Sequence, residues 1–389
     1  MAIDTDVAVV GAGPVGLGAA LLLARAGLGV VVLERRPGPV VESRATDLHA
    51  RTLEALEPSG LTELLVPLGR RVDAVRMWDG GRSVGGFDLA GLRSPYPYIL
   101  TVPQCTTEGL LAEQAAACGV TVHRSTPVRS VVEDAAGATV HADGVEPVRA
   151  RWVVAADGAS SALRALSGTG FRGWTYPGSW QLADLRVSDP ALDPGLVHMV
   201  GGPRGLLVVL PMHLDGWVRV VLHLPSVSPA ESSPGAVEPL VAEAAARGWA
   251  ASVHECRWTS SFRTHRRLAG HRRGSRVLLI GDAAHVCSPI GGQGLNLGLR
   301  DAVSLARVLP DATAAGAGPD SPALRAWHRA RRAEAWRVLA RTDFATRAWT
   351  LRAAPARAAR DTALRTVLAT ATGRRFLAES VAGPVPLGP

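Results

Sequence analysis

The sequence contains no lysine: all 42 basic residues among its 389 are arginines. A lysine Schiff base, a Walker-type phosphate lysine and other lysine-dependent chemistry are therefore excluded. Cysteine is scarce as well. Cys105, Cys118, Cys256 and Cys287 show no CxxC-like spacing, so free thiols in a reducing, cytoplasmic setting are expected. No cluster of histidine, cysteine and acidic residues suggests a metal. No apolar run reads as a membrane span: the stretch from Val15 to Leu33 is broken by Arg25 and several glycines. MAIDTD leads straight into VAVVGAG without a basic region, so no signal peptide is expected.

What is present fits a soluble globular protein, with 47% hydrophobic and 20% charged residues, long enough for two interleaved domains. The net charge of +8 is unevenly spread. From Arg325 to Arg375 thirteen arginines face only Glu334, Asp343 and Asp361, a local +10, which leaves the rest at −2. A solvated basic helix face accounts for this without nucleic acid; an acidic partner or a membrane surface is the alternative.

The chain opens β-α-β. Asp6–Val10 reads as a buried strand, Pro14–Ala26 as a helix closed by Gly27, and Gly29–Glu34 as a second strand. Thr46–Leu56 and Thr107–Cys118 read as helices, with short strands from about Val72 to Pro97 and a meander through TVHRS, RSVVED and ATVHAD. From Trp174 to Arg263 apolar runs broken by Pro and Gly predict a mostly antiparallel sheet with a helix at Val237–Arg247. An α/β pattern returns at Val277. Beyond Ala302 the chain reads as helical, with a loop over Asp311–Pro322.

Three glycine-rich stretches have to be weighed for chemistry. Gly11-Ala-Gly-Pro14-Val15-Gly16 is a GxGxxG turn between strand and helix. Gly11 permits the turn, Gly13 lets a pyrophosphate approach the backbone, and Gly16 lets helix and strand pack closely. Glu34, ending the second strand, can accept hydrogen bonds from ribose hydroxyls. This predicts a dinucleotide without separating FAD from NAD. A second match, Gly168–Gly173, follows a helical stretch and has no strand entering it, so a second dinucleotide fold is not expected. The third stretch is GDAAHVCSPIGGQGLNLGLRDA, in which Asp282 precedes a glycine-rich loop opening a helix. A carboxylate suits a polyhydroxylated chain, and the helix start suits a pyrophosphate or an electron-rich ring. A sugar alcohol beside a ring describes the flavin half of FAD.

With Glu34-Arg35-Arg36 and VVAADGASSALR, these motifs resemble, in order and over nearly the whole chain, the class A flavoprotein monooxygenases of the para-hydroxybenzoate hydroxylase type. The resemblance implies noncovalent FAD, reduction by NADH or NADPH without a separate coenzyme domain, and a flavin hydroperoxide that delivers one atom of molecular oxygen. It places Arg44 near the pyrophosphate, Gln104 near the ribityl chain, Val128 at adenine, and Asp157 in an acidic-glycine motif linked to FAD and coenzyme. Arg35 joins Glu34 in the FAD set. Pro289 and the loop Gly291–Asn296, with Gly292, Gly294, Leu295 and Asn296, would lie along the isoalloxazine ring. Arg44 and Pro289 are the expected catalytic positions, in chemistry that the flavin drives. Arg300 departs from the family, where a neutral amide is expected, and the thioredoxin-like C-terminal domain of some members is not expected here.

The expected fold is α/β: a Rossmann-like FAD-binding domain (1–71, 98–173 and 265–389, including the C-terminal helices) with an inserted, mostly antiparallel β-sheet substrate domain (72–97 and 174–264). In WVRVVLHL, a period of two sets Trp217, Arg219 and His223 on one face and Val218, Val220 and Leu222 on the other. The polar face is a pocket wall or faces solvent. Trp180, His198 and His213 are further substrate candidates, and His285 reads as a packing residue. The expected substrate is an aromatic or polyketide-like small molecule, as in antibiotic tailoring. Alternatives are a ubiquinone-type hydroxylase, Baeyer–Villiger insertion, or a flavin reductase or dehydrogenase that does not insert oxygen. A flavin halogenase would need a lysine. No nucleic-acid partner and no integral membrane association are expected, and a monomer or a homodimer fits equally.

Overall fold

The computed structural model describes residues 4–40, 43, 45–188, 193, 195–225, 237–270 and 274–384. Its central sheet runs Thr121–His123, Val30–Leu33, Thr5–Val10, Val148–Ala155, Ala138–Ala142, Val128–Glu133, and Val277–Leu279 joins along Val148–Ala155. The first four strands and Val277–Leu279 pair in parallel; the last two form an antiparallel flap. Val7, Ala8 and Val9 are wholly buried, as expected of a central parallel strand covered on both faces.

Helix Pro14–Arg25 starts with Pro14 in its first turn and lies against helix Gln293–Ala314, where Gly18 faces the Leu299 side chain. The close approach has a backbone cause. Gly11 has φ +104°, and a Cβ there would stand 2.5 Å from the Ala156 carbonyl oxygen. A Cβ on Gly16 would run into the Gly11 carbonyl.

A second seven-stranded sheet runs Ser252–Phe262, Ser179–Ser188, Trp217–Leu224, Leu207–Pro211, Leu196–Gly201, Ala74–Asp79, Arg82–Asp88. All neighbours are antiparallel except Leu196–Gly201 with Ala74–Asp79. Val218, Val220 and Leu222 share an apolar cluster with Leu240 and Ala244 of helix Val237–Ala245, which covers the outer face. The other face carries Trp180 and meets Ala50, Ile99 and Ile290 of the first unit. Helices Pro322–Trp349, Ala354–Leu368 and Ala371–Ala382 follow.

Two expectations change. The stretch expected as one helix from Thr46 is a strand, Asp47–His49, followed by helix Ala50–Leu56. Its strand half pairs with Ile99–Thr101, and that tertiary pairing outweighs local helical pattern. The loop expected from Asp311 begins later, because helix Gln293–Ala314 runs through Pro310; Thr313 Oγ1 donates to the Leu309 carbonyl at 2.7 Å.

Gly11→Ala should lose about 1–3 kcal/mol or more of unfolding free energy, from its positive φ and the collision with Ala156. Urea denaturation checks this; a change within about 0.5 kcal/mol would contradict the turn geometry.

Candidate functional site

Three turns distant in sequence meet at one end of the central sheet. Gly11–Gly16 abuts Ala156 and Asp157, and the Val15 side chain reaches Gly281 and Gly298. Helix Pro14–Arg25 has no side-chain cap and no acidic residue in its first turn, and a Cβ at Gly13 would enter open space. Its first backbone N–H groups are therefore left without a side-chain partner. Glu34 is buried beside it: Oε2 accepts from Ala12 N (2.6 Å) and Oε1 from Arg36 N (2.9 Å). Each oxygen keeps a lone pair for a hydroxyl. Arg35 is exposed at the strand end, and Val128 is half-buried where its strand begins.

Asp157 has a local task. Its Oδ1 accepts from Ser161 Oγ (2.5 Å) and its Oδ2 from Leu163 N (3.1 Å), which fixes the start of helix Ala162–Leu166. Arg164 then donates to the Ala159 and Ala283 carbonyls, at 2.7 and 3.0 Å, joining this turn to the one that presents Asp282.

Asp282 lies exposed in the turn Gly281–Ala283. Behind it, Asp301 accepts from Gly281 N (2.9 Å), His285 Nε2 (2.6 Å) and Arg331 Nε (2.7 Å). Burial alone would raise the Asp301 carboxyl; the charges of His285 and Arg331, with hydrogen bonds from His285 and Gly281, outweigh it and hold it at about 2. Arg331 also pairs with Glu334, whose other oxygen meets Arg300 Nη2 at 3.0 Å. His285 is thus a positioned packing residue.

The glycine loop is set from below. Gly291 and Gly292 have φ +84° and +60°. Asn296, 1% exposed, donates through Nδ2 to the Asp47 and Gly292 carbonyls (2.8 Å each) and accepts His49 N at 2.8 Å. A trans peptide points its N–H opposite its carbonyl, so holding the Gly292 carbonyl aims Gln293 N–H away from Asn296. Helix Gln293–Ala314 has no side-chain cap, and Cβ atoms at Gly291 or Gly294 would meet nothing within 4 Å. The Pro289 carbonyl accepts from Gly292 N (2.9 Å), and Leu295 is partly buried in the core. His49 was not singled out by its sequence. Burial pulls its imidazole down to about 4, against Asp47 and assisted by Arg300. A Cβ on Gly292 would stand 2.9 Å from His49 Nε2.

Arg44 lies outside the described residues, but its neighbours are held from both sides. Gln104 Oε1 accepts from Ala45 N (3.2 Å), Gln104 N donates to Ser43 Oγ (2.6 Å), and Arg219 Nη2 donates to the Ser43 carbonyl (2.5 Å). Arg219, on the inner sheet face, is 2% exposed and bidentate to Asp184 at 2.7 and 2.8 Å. Trp217, beside it, is covered by Arg257 at 4.3 Å. His213 faces Arg257 and Asp184, and burial lowers its pKa. Trp180 and His223 form a separate contact, with ring centroids 5.1 Å apart; burial pulls His223 down to about 4. His198 alternates with Val197 and Met199, which pack on the inner cluster, and so lies on the outer side with Val200. The structure therefore gathers Trp217, Arg219 and His213 and sets His198 and His223 apart.

Among the described residues no helix is long and apolar enough to cross a membrane, and no cluster of three metal-ligating side chains occurs. Residues 4–342 match the family model of the FAD binding domain. The chain belongs to the FAD binding domain family. Rifampicin monooxygenase of Streptomyces venezuelae is 36% identical over 310 residues, covering 77% of this chain and 63% of that protein. The 6-methylpretetramide 4-monooxygenase of Streptomyces rimosus is 36% identical over 313 residues, covering 79% and 56%. The chain thus spans under two thirds of these relatives' lengths. Dialkyldecalin synthase of Streptomyces rugosporus is 33% identical over 360 residues, covering 87% and 72%. Among solved structures, p-nitrophenol 4-monooxygenase of Pseudomonas putida aligns with TM-score 0.88 at 28% identity, covering 98% of this chain and 99% of that one. The fold of this FAD binding domain chain is accordingly that of the class A flavin hydroxylases.

His49 and His223 are held near 4, below the ordinary 6.5. The unfolded chain then binds more protons between these values, so stability should fall as pH drops from 6.5 toward 4, by roughly 3 kcal/mol per histidine. Urea unfolding at pH 7 and pH 4.5 measures it; equal stabilities would contradict the buried neutral imidazoles.

Proposed function

We propose that the protein is an FAD-dependent, NAD(P)H-consuming monooxygenase acting on an aromatic or polyketide-type small molecule. The observation that carries this reading is the convergence of the Gly11, Asp157 and Gly281 turns on one open end of the sheet, opposite the inner face of the second sheet. The residues fit FAD. The uncapped start of helix Pro14–Arg25 suits its pyrophosphate, Glu34 its ribose and Asp282 its ribityl hydroxyls. The open N–H groups of Gly291–Gly294 suit the electron-rich edge of its ring. Once reduced by the coenzyme, bound flavin would activate oxygen for transfer to the substrate.

The chain's own residues have the positioning tasks. Gln104 holds Ser43 and Ala45, and Arg219, on the second sheet, holds the Ser43 carbonyl. Since Asp184 neutralises Arg219, this buried arginine anchors backbone without presenting a bare cation to the substrate. Trp217 and Trp258, each near an arginine, give the inner face aromatic surface suited to stacking a planar ring and excluding water. A cytoplasmic location fits the free cysteines.

A second reading is a non-oxygenating enzyme on the same frame, favoured by the likeness to dialkyldecalin synthase. The purified protein with FAD should show flavin absorbance and oxidise NADPH or NADH faster with a phenolic polyketide present, with one oxygen added to product. Substrate turnover without coenzyme or oxygen consumption would decide for the second reading.

Asp282→Ala should weaken FAD binding by about 1.5–3 kcal/mol, roughly ten- to 150-fold, through loss of a charged acceptor. Flavin titration checks it; unchanged affinity would move the ribityl chain elsewhere.

A further inference from the structure

The last described helix ends against the glycine loop. Gln293, 5% exposed, donates through Nε2 to the Gly291 carbonyl (3.0 Å) and to the Val381 carbonyl (2.9 Å). A primary amide nitrogen has two hydrogens, so one side chain serves both carbonyls. Val381 lies in the last turn of Ala371–Ala382, where carbonyls lack intrahelical donors. Two turns along, Arg300 Nη1 donates to the Pro384 carbonyl at 3.1 Å. On the other flank Arg51 Nη2 meets Glu379 Oε2 at 2.7 Å. Between these ties Ala378 and Ala382 are buried in one cluster with Ala50 and Ile290, the residue just before the loop.

We propose that Ala371–Pro384 is a clamp for the glycine loop, with Gln293 and Arg300 as its positioning residues, so that docking of this segment and flavin binding strengthen each other. The inference rests on the assignment of that loop to the flavin. Gly291 and Gly292 both have positive φ, a conformation glycine exchanges readily for others. With its carbonyl tied through Gln293 to Val381, Gly291 is restricted by a segment about ninety residues further along. The identity of Arg300 then has a reason: a neutral amide is shorter and could not both pair with Glu334 and reach Pro384. Linkage of this kind is reciprocal: what the segment lends to flavin affinity, flavin returns as protection of the segment.

Amide hydrogen exchange of the full chain, with and without saturating FAD, tests this. Exchange in Ala371–Ala382 should slow about tenfold when FAD binds. Gln293→Met should raise the FAD dissociation constant about tenfold and abolish that slowing. Glu379→Gln, remote from the loop, should weaken both effects more mildly and guards against misfolding of the first variant. Bound FAD with unchanged exchange in the segment overturns the clamp alone. Wild-type affinity and wild-type protection in both variants overturn it too. A wild-type protein that takes up no FAD overturns the cofactor assignment together with the clamp.

Discussion

The Asp301 carboxylate, 2% exposed, accepts a backbone N–H from Gly281, an imidazole N–H from His285 and a guanidinium N–H from Arg331. Burying a charge is costly unless it is paired and hydrogen-bonded, and here every partner comes from a different element. One holds the turn that presents Asp282, one the short strand after it, one the long C-terminal helix. Removing the carboxylate would leave buried Arg331 short of its partner, a defect worth about 3–5 kcal/mol in comparable buried pairs. The chain continues through Glu334 to Arg300 and from there to the final segment. The end of the central sheet where the three turns meet is therefore fixed by buried charges.

The absence of lysine suits such a network. Arg300 is lowered to about 10 by burial against the pull of Glu334, yet remains charged at neutral pH. A buried ammonium would titrate more readily, and it lacks the planar fork that lets Arg219 grip both oxygens of Asp184 while reaching Ser43.

Much of the geometry at the glycine turns was legible because its signals are local. Gly11, Gly13 and Gly16 act through turn geometry a few residues long, and a period of two placed Trp217 and Arg219 together without tertiary information. Whether that face met solvent or protein was not legible, since the answer lies in Ile290 and Ala50 of another unit. The break at His49 was hidden for a similar reason: Asp47–His49 becomes a strand only beside Ile99–Thr101. His49 itself carries no motif; its environment is made by Gly292 and Arg300. His198 shares its residue type with the gathered candidates, but its parity along Leu196–Gly201 sends it outward.

The second sheet draws its strands from two stretches, 74–88 and 179–262, joined by the parallel pairing of Ala74–Asp79 with Leu196–Gly201. That pairing cannot form until residues 80–195, which include four strands of the central sheet, have been synthesised and brought round. Contacts of such long sequence separation slow folding, so neither sheet matures as an independent N-terminal unit during synthesis. A nascent chain halted before residue 200 would leave Ala74–Asp79 with an unpaired edge, a natural target for chaperones.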